Sequence, residues 1–62
     1  MFVKNLVDVS VSTLSISISN DDTQVYSGNI KSVPSYLLNE RVKELSIFGS
    51  NIVIKIGGYN AN

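Results

Sequence analysis

The sequence predicts a mainly β domain, bordering on α+β, with a single small antiparallel sheet. Apolar and polar residues alternate over 7–18, and isoleucine occupies every second position over 52–56, which is the two-residue period of a strand that buries one face. Turn-forming residues occupy 20–23 and 49–51, and Pro34 interrupts the alternation midway. The predicted order is therefore two hairpins joined by one short helix, ββ-α-ββ.

The N-terminal alternation changes phase once. Apolar residues stand at odd positions over 7–11 and at even positions over 14–18. A change of phase within a strand requires an extra residue, so a β-bulge or a break between two strands is predicted near Ser12-Thr13. Residues 2–19 are accordingly predicted to form one long bulged strand or two short ones.

The first hairpin is predicted to turn at Asn20–Thr23 and to return over Gln24–Ile30. Asn and Asp side chains hydrogen-bond their own backbone and so favour the turn. Valine and tyrosine favour the strand that follows. Gly28 inside this strand predicts a bulge or a close approach of the backbone.

The second half begins with a predicted helix. Proline fixes φ at a value suited to a first helical turn, so a short helix is predicted over Pro34–Asn39, with Ser32 or Ser35 as its cap. Strands are predicted at Val42–Phe48 and Asn51–Ile56. The residues predicted to form the core of the sheet are Leu14, Ile16, Ile18, Leu45, Ile47, Ile52, Ile54 and Ile56.

The length of 62 residues predicts one domain over residues 1–57, followed by a frayed tail over 58–62. Domains of this size usually need a disulfide, a metal or self-association for stability. The sequence contains no cysteine and no histidine, so disulfides and the commonest metal ligands are excluded. Self-association remains, and we expect the chain to act as a homo-oligomer or as the partner of a larger protein.

The composition argues against an enzyme. Without histidine, a nucleophilic serine would need a lysine beside it, and no such pair is visible. Asp21 and Asp22 suit a hairpin turn better than a cation site, because the spacing of a calcium loop is absent. We therefore predict no catalytic residue, no metal, no cofactor and no small-molecule substrate.

Five basic residues balance five acidic ones, so the chain lacks the basic excess that nucleic-acid-binding proteins usually show. The alternative is a single-stranded nucleic-acid-binding module that stacks bases on Tyr26, Phe48 and Tyr59. No apolar stretch is long enough to span a membrane, and the first residues do not resemble a signal peptide. We expect a cytoplasmic protein without a membrane partner.

The candidate partner surface is the second face of the sheet. If the isoleucines line the core, Phe48, Val53 and Lys55 point away from it, where one short helix cannot also cover them. Tyr26 is a further candidate contact. The candidate sheet edges are Val7–Ser19 and Ile52–Ile56, with Lys55 as a charge that opposes aggregation of the second strand.

The composition is rich in asparagine, isoleucine, serine and lysine, as in the segments Ser19–Asp22 and Asn51–Ile56. In this it resembles small accessory proteins of phages or mobile elements in AT-rich bacteria. This resemblance is compositional and identifies no family. It implies a stoichiometric binder, such as an inhibitor of a host defence enzyme, or a small virion or regulatory component. The location would then be the cytoplasm of the host cell.

Overall fold

The computed structural model describes residues 1–57, and the predicted tail over 58–62 lies outside this range. The elements are α1 (Val3–Val9), β1 (Ser15–Asn20), β2 (Thr23–Asn29), a 3-10 turn (Ile30–Ser32), α2 (Ser35–Leu38), β3 (Val42–Phe48) and β4 (Asn51–Ile56). About 49% of the described residues are in strands and 25% in helices, which confirms the mainly β class.

The strands form one sheet in the order β2-β1-β4-β3. Both predicted hairpins are present, because β1 pairs with β2 and β3 pairs with β4 in antiparallel fashion. The central strands β1 and β4 are parallel, so the sheet is mixed and the prediction of antiparallel pairing throughout is wrong at this position. The cause is the connection over 30–41, which returns the chain to the end of the sheet where β2 began. Consequently β3 runs parallel to β2, and β4 runs parallel to β1.

The core lies between one face of the sheet and the helices. The buried hydrophobic residues are Val3, Ile16, Ile18, Ile30, Leu37, Ile52, Ile54 and Ile56. The predicted burial of the isoleucines in β1 and β4 is therefore confirmed, and Leu14 packs against them at partial burial. Leu45 and Ile47 were predicted to be buried, and this is wrong, because they are 42% and 65% exposed. Both lie on β3, at the margin of the sheet.

The N-terminal segment is a helix and not the predicted strand. Val3, Leu6 and Val7 follow the i, i+3, i+4 spacing of a helix face; Val3 is fully buried and the other two pack against the core. Val9 and Val11, which complete the apparent alternation, are 81% and 61% exposed. The change of phase at residues 12–13 therefore falls in the connection between α1 and β1, where the first regular element has already ended.

The sheet is bulged within its outer strands. Ile18 pairs with Tyr26 while the next residue pairs with Gln24, which leaves Val25 unpaired in β2. A second register shift lies between Val42 and Glu44 in β3. Each bulge is in an outer strand, whereas the pairing of β1 with β4 is regular.

The predicted turns and the predicted central helix are confirmed. Asp21 adopts a φ of 56° and Gly49 a φ of 64°, values that two-residue hairpin loops require at their first central position. The helix α2 begins after Pro34, and Leu37 anchors it in the core. The prediction of a serine cap is wrong, because no side-chain hydrogen bond caps the N-terminus of α2.

Ile54 provides a test of this core. Its side chain is fully buried between β1, β3 and the helices, so Ile54→Ala should lower the free energy of unfolding by about 2–5 kcal/mol. Urea denaturation of both proteins measures the difference. Val9→Ala, at an exposed position, is the control and should change stability by no more than about 0.5 kcal/mol. Equal effects of the two substitutions would contradict the described core.

Candidate functional site

The strand order determines which backbone is available for pairing. β2 and β3 are the outer strands, whereas β1 and β4 are central and are paired on both sides. The predicted edges, Val7–Ser19 and Ile52–Ile56, are therefore wrong. β1 and β4 pair with each other in the middle of the sheet, where the isoleucines of both strands are buried. Lys55 accordingly lies on a central strand and does not guard an edge.

The outer side of β3 is covered at its beginning by the N-terminal residues. The Val42 N–H donates to the Met1 carbonyl at 2.9 Å, and the Val3 N–H donates to the Glu40 carbonyl at the same distance. The Arg41 guanidinium lies over the Phe2 ring, 5.1 Å from its centroid. Outward pairing of β3 by another strand is therefore limited to the residues that follow Val42.

Beyond Val42, alternation of the ladder identifies the outward-facing backbone groups. Phe48 pairs with Asn51 across the two-residue turn at Gly49-Ser50. The residues that close such a turn exchange hydrogen bonds with each other, and hydrogen-bonded pairs alternate with non-bonded pairs along an antiparallel ladder. Leu45 and Ile47 thus belong to non-bonded pairs with β4. Their N–H and C=O groups lie in the plane of the sheet and point away from β4, toward the unpaired side of β3.

Large apolar side chains lie on the same part of β3. Leu45 and Ile47 pair with Ile54 and Ile52, so they lie on the helix-covered face but beyond the helices. Phe48 is 66% exposed on the opposite, open face. The outer part of β3 therefore offers apolar groups on both faces. We call residues 44–48 with their outward backbone the β3 edge.

Three of the predicted contact residues share the open face. Phe48, Val53 and Lys55 all lie on the side of the sheet that faces away from the core, as predicted. Lys55 is paired across the ladder with Glu44, and the Lys55 Nζ lies 3.6 Å from the Glu44 Oε1. Both side chains are exposed, so the pair adds little to stability, but it neutralises the charge beside the apolar stretch.

Val53 is less prominent than the sequence indicates. Its neighbours across the ladder are Ser17 on β1 and Ser46 on β3. The side chain is partly buried among these small polar residues. Only the diagonal position on β3, occupied by Phe48, adds a large apolar group near it. The role of Val53 as a partner contact stays a prediction.

Tyr26 is separate from the other predicted contacts. It pairs with Ile18 and packs on the helix-covered side of β2, at the opposite margin of the sheet from β3. Its hydroxyl donates to the Asn29 carbonyl at 2.8 Å. Tyr26 and Phe48 therefore lie on opposite faces and do not form one stacking platform. Tyr59, the third ring of the predicted platform, lies outside the described residues.

The sequence pattern does not show that Leu45 and Ile47 are surface residues. Their alternation is the same as that of a buried strand, and only the strand order shows that the helices do not reach them. A signal was present in the two charged residues that precede them, Lys43 and Glu44. Charges of this kind are common on outer strands.

Comparison with known proteins adds no relative: no family model matches the chain, and no curated protein or solved structure is detectably similar to it. Within residues 1–57, no helix is long and apolar enough to cross a bilayer. The same part of the chain contains no group of three or more metal-ligating side chains. The β3 edge is the candidate site because its apolar side chains are exposed on an outer strand.

Gly28 tests the packing of Tyr26. A Cβ at Gly28 would lie 3.1 Å from the Tyr26 hydroxyl oxygen, and the φ of 156° disfavours a side chain there. Gly28→Ala should therefore lower stability by about 1–3 kcal/mol. In a Tyr26→Phe background, where the hydroxyl is absent, the cost should fall by about 0.5 kcal/mol or more. The same cost in both backgrounds, measured by urea denaturation, would show that the ring does not lie over Gly28.

Proposed function

We propose that this chain is a non-enzymatic protein-interaction module that binds its partner by adding a strand to the β3 edge. One observation carries the proposal. β3 is an outer strand on which Leu45, Ile47 and Phe48 are exposed beside outward-facing backbone groups. Main-chain hydrogen bonds give affinity in this mode of recognition, and alternate side chains give specificity.

The apolar side chains suit such a partner. An added strand would lie level with the sheet, so its side chains would meet Leu45 and Ile47 on one face and Phe48 on the other. Full burial of a large aliphatic or aromatic side chain contributes about 1.5–3 kcal/mol. These residues already bury part of their surface, so each would contribute a fraction of that amount. These contributions add to that of the backbone pairing and favour binding of an added strand.

The other outer strand is less suitable. β2 carries a bulge at Val25, and a bulge twists an edge away from regular pairing. Its tyrosine packs back against the core. The remaining outward positions of β2 are polar, among them Gln24 and Ser27. The contrast between the two edges supports β3 as the binding edge.

The proposed partners are a second copy of the chain or a larger protein. The compositional resemblance to phage and mobile-element accessory proteins adds an enzyme of the host or of its defences as one class of larger partner. We place the interaction in the cytoplasm, with no cofactor and no small-molecule substrate, as the sequence leads us to expect. The nucleic-acid alternative has no comparable support, because Tyr26 and Phe48 are on opposite faces.

Ile47→Lys tests the proposal. A lysine in the middle of the apolar edge should weaken association by about tenfold or more, because its charge would lose water on pairing. Sedimentation velocity measures self-association, and affinity capture from the source cells measures binding of a larger partner. Val11→Lys is the matched control, since Val11 is similarly exposed but lies in the connection after α1. Equal binding by the two variants, or no association of the native chain in either assay, would refute the proposal.

The dependence of binding on salt concentration distinguishes a protein partner from a nucleic-acid partner. Apolar edge pairing should change by less than about threefold between about 50 and 200 mM salt, whereas a protein that makes several phosphate contacts loses orders of magnitude in affinity over this range. Retention on a single-stranded oligonucleotide at low salt that disappears at the higher concentration would favour the nucleic-acid alternative. The measurement is the same binding assay repeated across the salt series.

A further inference from the structure

We infer that the strand added to the β3 edge is β3 of a second copy, antiparallel to the first and related to it by a two-fold axis at Ser46. This inference rests on the proposed function and specifies its partner. The result would be a continuous eight-stranded sheet, with β3 and its copy at the centre. Dimers with two-fold symmetry are the commonest assemblies of identical chains.

The backbone matches itself in this register. An axis at Ser46 places Leu45 opposite Ile47 of the partner subunit, and Ile47 opposite Leu45 of the partner subunit. These are the residues whose N–H and C=O groups point outward, so both pairs are of the hydrogen-bonded type. The same two pairs bring aliphatic side chains together on the helix-covered face. Hydrogen bonding and apolar contact are thus satisfied by one register.

Neighbouring registers are less favourable. An axis at Leu45 would bring Phe48 of the partner subunit to Val42, where the Met1 carbonyl already occupies the outward N–H. An axis at Glu44 would oppose two carboxylates, which is destabilising. An axis at Ile47 would oppose Leu45 to the turn residue Gly49 of the partner subunit. The axis at Ser46 uses the accessible stretch 44–48 and avoids each of these conflicts.

The charges also favour a second copy. The stretch from Leu45 to Phe48 is uncharged, so it best accepts an uncharged strand, and its own copy is one. The adjacent Glu44 is neutralised by Lys55, whose Nζ lies 3.6 Å from the Glu44 Oε1. The formal net charge of the chain is zero, so two copies do not repel each other at long range.

The size of the contact sets its strength. One strand edge with three large side chains is smaller than the about 800 Å² per partner that a standard interface buries. We therefore expect a reversible dimer with a dissociation constant in the micromolar range. A covalent cross-link between the two subunits detects such a weak complex.

Ser46→Cys is the direct test. The chain contains no cysteine, so this variant has a single thiol. In the inferred dimer, residue 46 faces residue 46 of the partner subunit in a non-hydrogen-bonded pair, where Cα atoms lie about 4.5 Å apart and a disulfide can form. Ser27→Cys is the matched control, because Ser27 is an exposed serine on the other outer strand, β2, and also faces the open side.

Under mild oxidation at about 100 μM chain, Ser46→Cys should form covalent dimer about tenfold faster than Ser27→Cys, because pairing raises the effective thiol concentration. In denaturant, the two variants should react at the same slow rate. Sedimentation equilibrium of the native chain should show a dimer that Ile47→Lys disrupts and Val11→Lys retains. This measurement needs no cysteine variant and stands even if Ser46→Cys is poorly folded.

Equal cross-linking by the two cysteine variants, together with a monomeric native chain, would overturn the inference. If Ile47→Lys then still prevented capture of a larger protein, only the identity of the partner would be wrong and the proposed function would stand. If Ile47→Lys affected neither assay, the proposed function would fail as well. Faster cross-linking of Ser27→Cys would move the dimer contact to β2 and would also overturn the inference.

Discussion

The parallel pairing of β1 with β4 is the constraint on which the rest of this structure depends. It places Ile16 beside Ile52 and Ile18 beside Ile54, all four buried under the helices. Parallel neighbours cannot be joined by a tight turn, so the chain must cross over the sheet between the hairpins. The crossover at 30–41 supplies part of the layer that buries these isoleucines. One pairing therefore determines the strand order, the helix layer and the identity of the edges.

The exposed β3 edge follows from the size of that layer. α1 has seven residues and is about 10 Å long, and α2 adds a single turn. Four strands spaced about 4.8 Å apart need a wider cover than this layer provides. The helices cover β1 and β4, and Tyr26 on β2 packs against the same core, whereas Leu45 and Ile47 on the far strand remain outside. The exposed β3 edge is thus a direct consequence of a small helix layer.

The sequence predicts what local patterns determine and fails where distant segments decide. Alternation identifies the buried isoleucines of β1 and β4, and turn residues identify both hairpins. The alternation of valines in the first segment is misleading because the helical spacing from Val3 to Val7 is superimposed on it. The faces of Phe48 and Lys55 are predictable from period alone. The exposure of Ile47 is not, because it depends on which strand neighbours β3 and how far the helices extend.

The outer strands differ in how far their exposed backbone is protected against unwanted pairing. An exposed, uncharged strand edge is an aggregation hazard, and natural sheets guard such edges with bulges, charges or covering segments. In this chain a bulge lies in β2, and the beginning of β3 has a bulge, two charged residues and the N-terminal residues paired along it. Protection ends at Leu45, where the strand becomes apolar on both faces. Regular pairing of this unguarded stretch with a defined partner, as we propose, would remove the hazard.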